Sequence, residues 1–155
     1  MLGSIKRFFD ANLTAATEAR SPVDQERAYQ LATAALFIEM TRADHDVKSV
    51  ERDAVSQAVG RAFELDSEQT QELITLAEQE ADAAISLYEF TRLINRHLDA
   101  KQKEHVVELL WHVALADGEI DKYEDHLVRK VADLIYVPHL SFIRAKHNAI
   151  KRMEQ

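Results

Sequence analysis

Apolar residues recur at helical spacing in successive blocks along the chain: Phe37 and Met40; Val55 and Val59; Leu73, Leu76 and Ala77; Leu87, Phe90 and Ile94; Val106, Leu110 and Val113; Leu127, Val131 and Leu134. Residues three, four or seven apart share a helix face, so each block predicts a helix with one side turned to a core. No stretch alternates as a half-buried strand would. Between the blocks stand start signals. Ser21-Pro22-Val23-Asp24 offers a cap, a proline at the first helical position and an acid in the first turn, and predicts a helix to about Arg42. Ser86-Leu87-Tyr88-Glu89, Asp99-Ala100-Lys101-Gln102 and Asp121-Lys122-Tyr123-Glu124 each match the capping box, in which cap oxygen and third-position side chain satisfy two orphan N–H groups. Further starts are expected near Ser49 and Ser67. Pro138 separates a helix ending near Tyr136 from a last one running toward Met153. The expected fold is all-α, a single compact domain of seven to eight helices with short connections.

Ile5, Phe8, Phe9 and Leu13 fall on one face beside Lys6 and Arg7, which marks residues 1–20 as an amphipathic segment ahead of a helical domain at 21–155. Such a stripe either packs on the domain, the commoner fate, or rests on a membrane surface. The start lacks the apolar run of a signal peptide, and nowhere is there an apolar run long enough to span a bilayer. A cytoplasmic chain is expected, with a membrane-peripheral placement as the alternative.

Composition narrows the chemistry. A chain of 155 residues, 46% hydrophobic and 30% charged, suits one globular domain, and 3 Gly with 2 Pro leave little punctuation for an all-β fold. The absence of cysteine excludes disulfides, thiolate metal sites and a thiol nucleophile. A formal charge of −8 repels nucleic acid at long range and favours cations and basic partners. The charge is uneven: no Lys or Arg occurs from Glu64 to Thr91, whereas Arg144, Lys146, Lys151 and Arg152 cluster in the tail. Solvated faces are the plain account of both. The same polarity would also orient a protein partner or drive head-to-tail self-association, so a homo-oligomer is an open expectation.

Compared with itself, the chain repeats. Ala43-Asp44-His45-Asp46-Val47-Lys48-Ser49-Val50-Glu51 aligns with Ala116-Asp117-Gly118-Glu119-Ile120-Asp121-Lys122-Tyr123-Glu124 at an offset of 73 residues. Without a gap, the alignment places Phe37 and Met40 on Leu110 and Val113, Val55 on Val128, and Phe63 on Tyr136. It predicts an internal helix–acidic turn–helix duplication, related by a rough two-fold, whose turns line one shared cleft if the helix ends converge.

Asp44 and Asp117 continue the apolar stripes of their helices and close them, where a negative charge opposes the helix dipole by ~0.3–1 kcal/mol. A cation, or the N–H groups of the next helix, would compensate. Asp117, Glu119, Asp121 and Glu124 bring four carboxylates into eight residues around Gly118, and oxygen-only ligands suit hard cations such as calcium or magnesium. The first copy offers Asp44, Asp46 and Glu51, with Lys48 in place of Asp121 and His45 in place of Gly118, and is the weaker set. The spacing is not that of an EF-hand loop. A purely structural corner accounts for the same acids as caps and solvation.

The segment from Leu115 to Glu124, followed by the apolar helix to Ile135, resembles the signature of the TerB-like tellurite-resistance family, and the first copy resembles its degenerate upstream half. The resemblance spans about residues 22–150. It implies a duplicated all-helical fold, acidic residues proposed to hold metal at Asp44, Asp46, Glu51, Asp117, Glu119 and Glu124, and association with stress-response systems that include membrane-linked complexes. Related domains occur in a membrane-anchored DnaJ-type co-chaperone. A protein partner, including a membrane-associated one, follows from the resemblance; tellurite itself does not.

Other chemistry is poorly represented. His105, Glu108 and His112 share a helix face, but no His-Glu-x-x-His zinc motif exists, so the two histidines read as surface or interfacial ones. The three isolated glycines make neither a phosphate loop nor a dinucleotide fingerprint, and no nucleophile elbow is present. Three functions therefore stand in order: a non-enzymatic module binding a divalent cation or a partner, a helical scaffold without metal, and, distantly, a metal-assisted hydrolase.

Overall fold

A computed structural model of the protein describes residues 4–43, 57–78, 83–116 and 122–153. Among them are eight helical stretches and no strand: α1 (Ser4–Glu18), α2 (Pro22–Ala43), α3 (helical at 57–63), α4 (Ser67–Glu78), α5 (Ala83–His97), α6 (Ala100–Ala114), α7 (Lys122–Leu134) and α8 (His139–Met153). The helix period in the apolar pattern is thus expressed throughout the described residues.

Local chemistry sets several boundaries. The Ser21 hydroxyl accepts the N–H of Asp24 at 3.0 Å and opens α2. Asp99 accepts the N–H of Gln102 at 2.9 Å while the Gln102 side chain accepts the N–H of Asp99 at 2.8 Å, completing the predicted box at α6. Asp66 and Gln69 form the same reciprocal pair, at 2.7 and 3.1 Å, so the cap of α4 stands one residue before Ser67. The Ser86 start is corrected: α5 is already helical at Ala83, which leaves Ser86 inside the helix and its Glu89 partner without an end to cap. The box expected at Asp121 adjoins the true start of α7, but Asp121 lies outside the described residues.

Two long helices organise the core. α2 packs against α1, α4, α5 and α6, and α6 packs in turn against α7 and α8. Phe37, Phe90, Ile94, Leu110, Trp111 and Val128 are completely buried, each worth roughly 1.5–3 kcal/mol of transfer free energy for a large aliphatic or aromatic side chain. The N-terminal stripe takes the packed fate. Phe9 and Leu13 are buried against α2 and α5, and the Phe9 ring stacks on Phe90 with centroids 4.7 Å apart. The apolar face of α1 is core, and none of its described large side chains is free to lie on a bilayer. No described helix is long and apolar enough to cross one.

The helices α3 and α7 end in the same way. Leu65 N–H bonds to Gly60 C=O at 3.1 Å, and Val137 N–H bonds to Ala132 C=O at 2.9 Å, each closing a six-residue turn whose fifth residue is left-handed: Glu64 at φ 52° and Tyr136 at φ 61°. In both turns the residue after the left-handed one is buried, Leu65 and Val137 alike, which is the apolar contact such caps carry. These equivalent positions are 72 residues apart. The ungapped alignment of Phe63 with Tyr136 is therefore corrected: Phe63 is 2% exposed and Tyr136 77%, and Glu64 is the residue that matches Tyr136. The turns through which the duplication runs, and so the shared cleft, lie outside the described residues.

Candidate functional site

Asp44, Asp46, Glu51, Asp117, Glu119 and Asp121 lie outside the described residues, and Glu124 is described only as part of the α7 backbone. The approach to the second turn is defined. Leu115 caps α6, its N–H reaching Trp111 C=O at 2.8 Å, and Ala116 N–H reaches Val113 C=O at 3.1 Å, so the helix tightens in its last turn immediately before Asp117. α7 begins at Lys122. Likewise α2 ends at Ala43, one residue before Asp44. Each acidic stretch thus follows directly on a long, core-forming helix. Among the described residues no group of three or more His, Asp or Glu side chains is arranged to hold a metal.

A titratable cluster occupies the place where α2, α6 and α8 meet. His105 Nε2 and Glu26 Oε2 are 2.7 Å apart. The hydrogen bond from His105 lowers the Glu26 pKa, more than burial raises it; an ionised carboxylate only accepts, so the imidazole proton sits on Nε2. The Tyr29 ring meets His105 edge-on, with centroids 5.4 Å apart. One turn along α6, the buried Glu108 has Oε1 3.2 Å from Arg152 Nε, an ion pair set off the line of a hydrogen bond. His112 completes the face. Burial, and then the nearby Arg152 charge, lower its pKa against the opposing pull of Glu108 and Glu26. Two pairs, Glu26–His105 and Glu108–Arg152, thereby bridge three helices with His112 beside them, and the acids are engaged by those partners. The spacing of His105, Glu108 and His112 was visible along α6. Glu26 and Arg152 come from other helices, and nothing local in the sequence points to them.

The tail is engaged in the same manner. Arg144 makes a bidentate pair with Glu104, Nε at 2.9 Å and Nη2 at 2.5 Å, and this bond holds the Glu104 carboxyl below its ordinary range. Lys146 lies 4.9 Å over the Trp111 ring. With Arg152 on Glu108, three of the four tail cations are occupied by α6, so the basic tail is an internal clamp and not a free patch.

A groove of about 300 Å³ opens between the α5–α6 link and the α7–α8 link, with Lys101, Lys103, Tyr136, Val137, Ser141 and Arg144 among its walls. Lys103 Nζ stands 5.9 Å from the Tyr136 ring centre.

The described residues thus form an all-helical domain in which each acidic stretch follows directly on a core helix, α2 or α6. A family model for tellurite resistance protein TerB matches residues 30–147, well over half of the chain, and the protein belongs to that family. The matched span takes in both acidic stretches; α1 and the first turns of α2 precede it. No curated protein and no solved structure matches the chain.

Proposed function

We propose that this TerB-family protein is a non-enzymatic, cytoplasmic stress-response module that binds a divalent cation, and with it a protein partner, through its acidic turns. The observation that supports this best is the family match across residues 30–147, which contains the oxygen-only set Asp117, Glu119, Asp121 and Glu124 and the lesser set Asp44, Asp46 and Glu51. Carboxylates without histidine or thiolate suit calcium or magnesium over zinc. Their position supports the reading as well: a helix C-terminus is a poor place for an acid unless a cation or an N–H compensates.

A second reading has an observation of its own. At two described corners, Asp66 and Asp99, the acid is used to cap the next helix, and the same role for Asp121 would leave a scaffold without metal. Calorimetric titration with calcium, magnesium, manganese and zinc separates the two, using Asp117→Asn and Glu124→Gln. Saturable binding lost in both variants supports the cation module. Unaltered heats with a lowered melting temperature support the capped scaffold, and turnover of a phosphoester panel would return the hydrolase.

A further inference from the structure

Four large apolar side chains are exposed among the described residues, and one of them, Tyr136 at 77%, lines the groove at the α7–α8 link. Tyr136 holds a left-handed conformation that glycine adopts without strain. Strain alone does not mark function, since Glu64 takes the same conformation at the end of α3. The difference lies in what is displayed. Glu64 presents a solvated acid, whereas Tyr136 presents a ring to water with only Lys103 over it.

The charge of the groove runs against the charge of the protein. Its acids are already committed: Asp99 caps α6 and Glu104 grips Arg144. Lys101 and Lys103 have no carboxylate ion-pair partner among the described residues, and the groove's three cations outnumber its two acids on a chain of net charge −8. The result is a small apolar surface with a positive rim, the arrangement in which an anchored side chain supplies affinity and rim charges supply register.

We propose that this groove docks an acidic segment of a partner protein, a short stretch in which one large apolar side chain is flanked by Asp or Glu. The apolar side chain packs beside Tyr136 over Val137 and Pro138. The flanking carboxylates meet Lys101 and Lys103, and the Arg144–Glu104 pair forms a rigid wall. This surface does not involve the acidic turns, and its test stands whether or not they hold a cation.

The probe is a short synthetic peptide with one phenylalanine flanked on both sides by glutamates, alongside counterparts carrying glutamine for glutamate and alanine for phenylalanine. Binding is followed by anisotropy and by amide shifts of the labelled protein near physiological salt. Saturable binding is expected, with shifts centred on Lys103, Tyr136 and Ser141 and losses of about tenfold or more for either altered peptide. Lys101→Glu with Lys103→Glu, and separately Tyr136→Gly, should each weaken the acidic peptide by about tenfold. Tyr136→Gly relaxes the left-handed position, so a retained or raised melting temperature shows that its loss of binding is not misfolding. Equal binding of the glutamine peptide, shifts elsewhere, or unchanged affinity in these variants would overturn the proposal. So would concentration-dependent self-association of the wild type that both variants abolish, because the exposed acids Glu64, Glu68 and Glu72 of a second copy would then be the occupant.

Discussion

Glu26 and His105 lie 79 residues apart in sequence and 2.7 Å apart in space, joining the first turns of α2 to the first turns of α6. The Glu26 pKa is depressed, chiefly by the hydrogen bond from His105. A depressed carboxylate contributes stability that is present above its unfolded pKa and is lost as the pH falls through the folded one. Urea melts should therefore show Glu26→Gln destabilised at pH 7, by about 1 kcal/mol or less because the pair is partly exposed, with the deficit shrinking as the pH falls below about 4.3 and gone only beneath the lowered folded value. A deficit independent of pH would assign the loss to packing.

His112 acts in a different window. Its folded pKa is lowered, by burial first and by Arg152 second, so the unfolded chain takes up the proton more readily than the folded one. The stability tied to the neutral imidazole is complete above its unfolded pKa of about 6.5 and declines as the pH falls from there toward the lowered value. His112→Gln should flatten the stability profile between neutral and mildly acidic pH, and a profile parallel to the wild type would remove His112 from the account.

The left-handed residues give a prediction of opposite sign. Relieving a strained side chain outweighs the extra freedom that glycine brings to the unfolded state, so Glu64→Gly and Tyr136→Gly should each raise stability by about 0.5–1 kcal/mol. Tyr136→Val, which places a branched side chain at the same φ of 61°, should lower it by about 1 kcal/mol. Chemical denaturation with unchanged slope would report all three.

α1 lies outside the family-matched span yet supplies Phe9, Leu13 and Ala16 to the core. Phe9→Ala should cost about 3–5 kcal/mol, and a double-mutant cycle with Phe90→Ala should leave a coupling of about 0.5–1.5 kcal/mol from the stacked rings. A chain shortened to residues 21–155 would on this basis lose cooperative unfolding. Full retention of the melting transition would instead make α1 a separable appendage.

Most helices were legible because their signals are local. Ser21 and Asp99 cap where a short polar side chain precedes an apolar run, and Pro138 breaks the chain where no N–H exists to continue it. The Ser86 box failed for the reason that such a pattern describes what a helix start can use, without forbidding the helix from beginning earlier, at Ala83. The repeat read at the acidic turns lies outside the described residues, and beyond them its continuous alignment misled: the matching turns fall at Glu64 and Tyr136, one residue off, because a cap is fixed by hydrogen bonds and not by residue type. The α2–α6–α8 cluster and the groove were beyond reach. Both are assembled from segments far apart in the chain, and a single charged residue carries no label of its partner.

Arg27 Nη1 donates to Phe63 C=O at 2.5 Å, and Asn95 Nδ2 donates to Leu134 C=O at 3.1 Å. Each bond ties the C-terminal end of the helix that follows an acidic stretch, α3 in the first half and α7 in the second, to a different helix of the core. Nearer the acids the same two helices are held by burial, through Ala58 and Val59 in α3 and Leu127 and Val128 in α7. A helix pinned by a hydrogen bond at one end and by apolar packing along the other keeps its tilt, so α3 and α7 each hold a set direction as they leave the acidic stretch that precedes them.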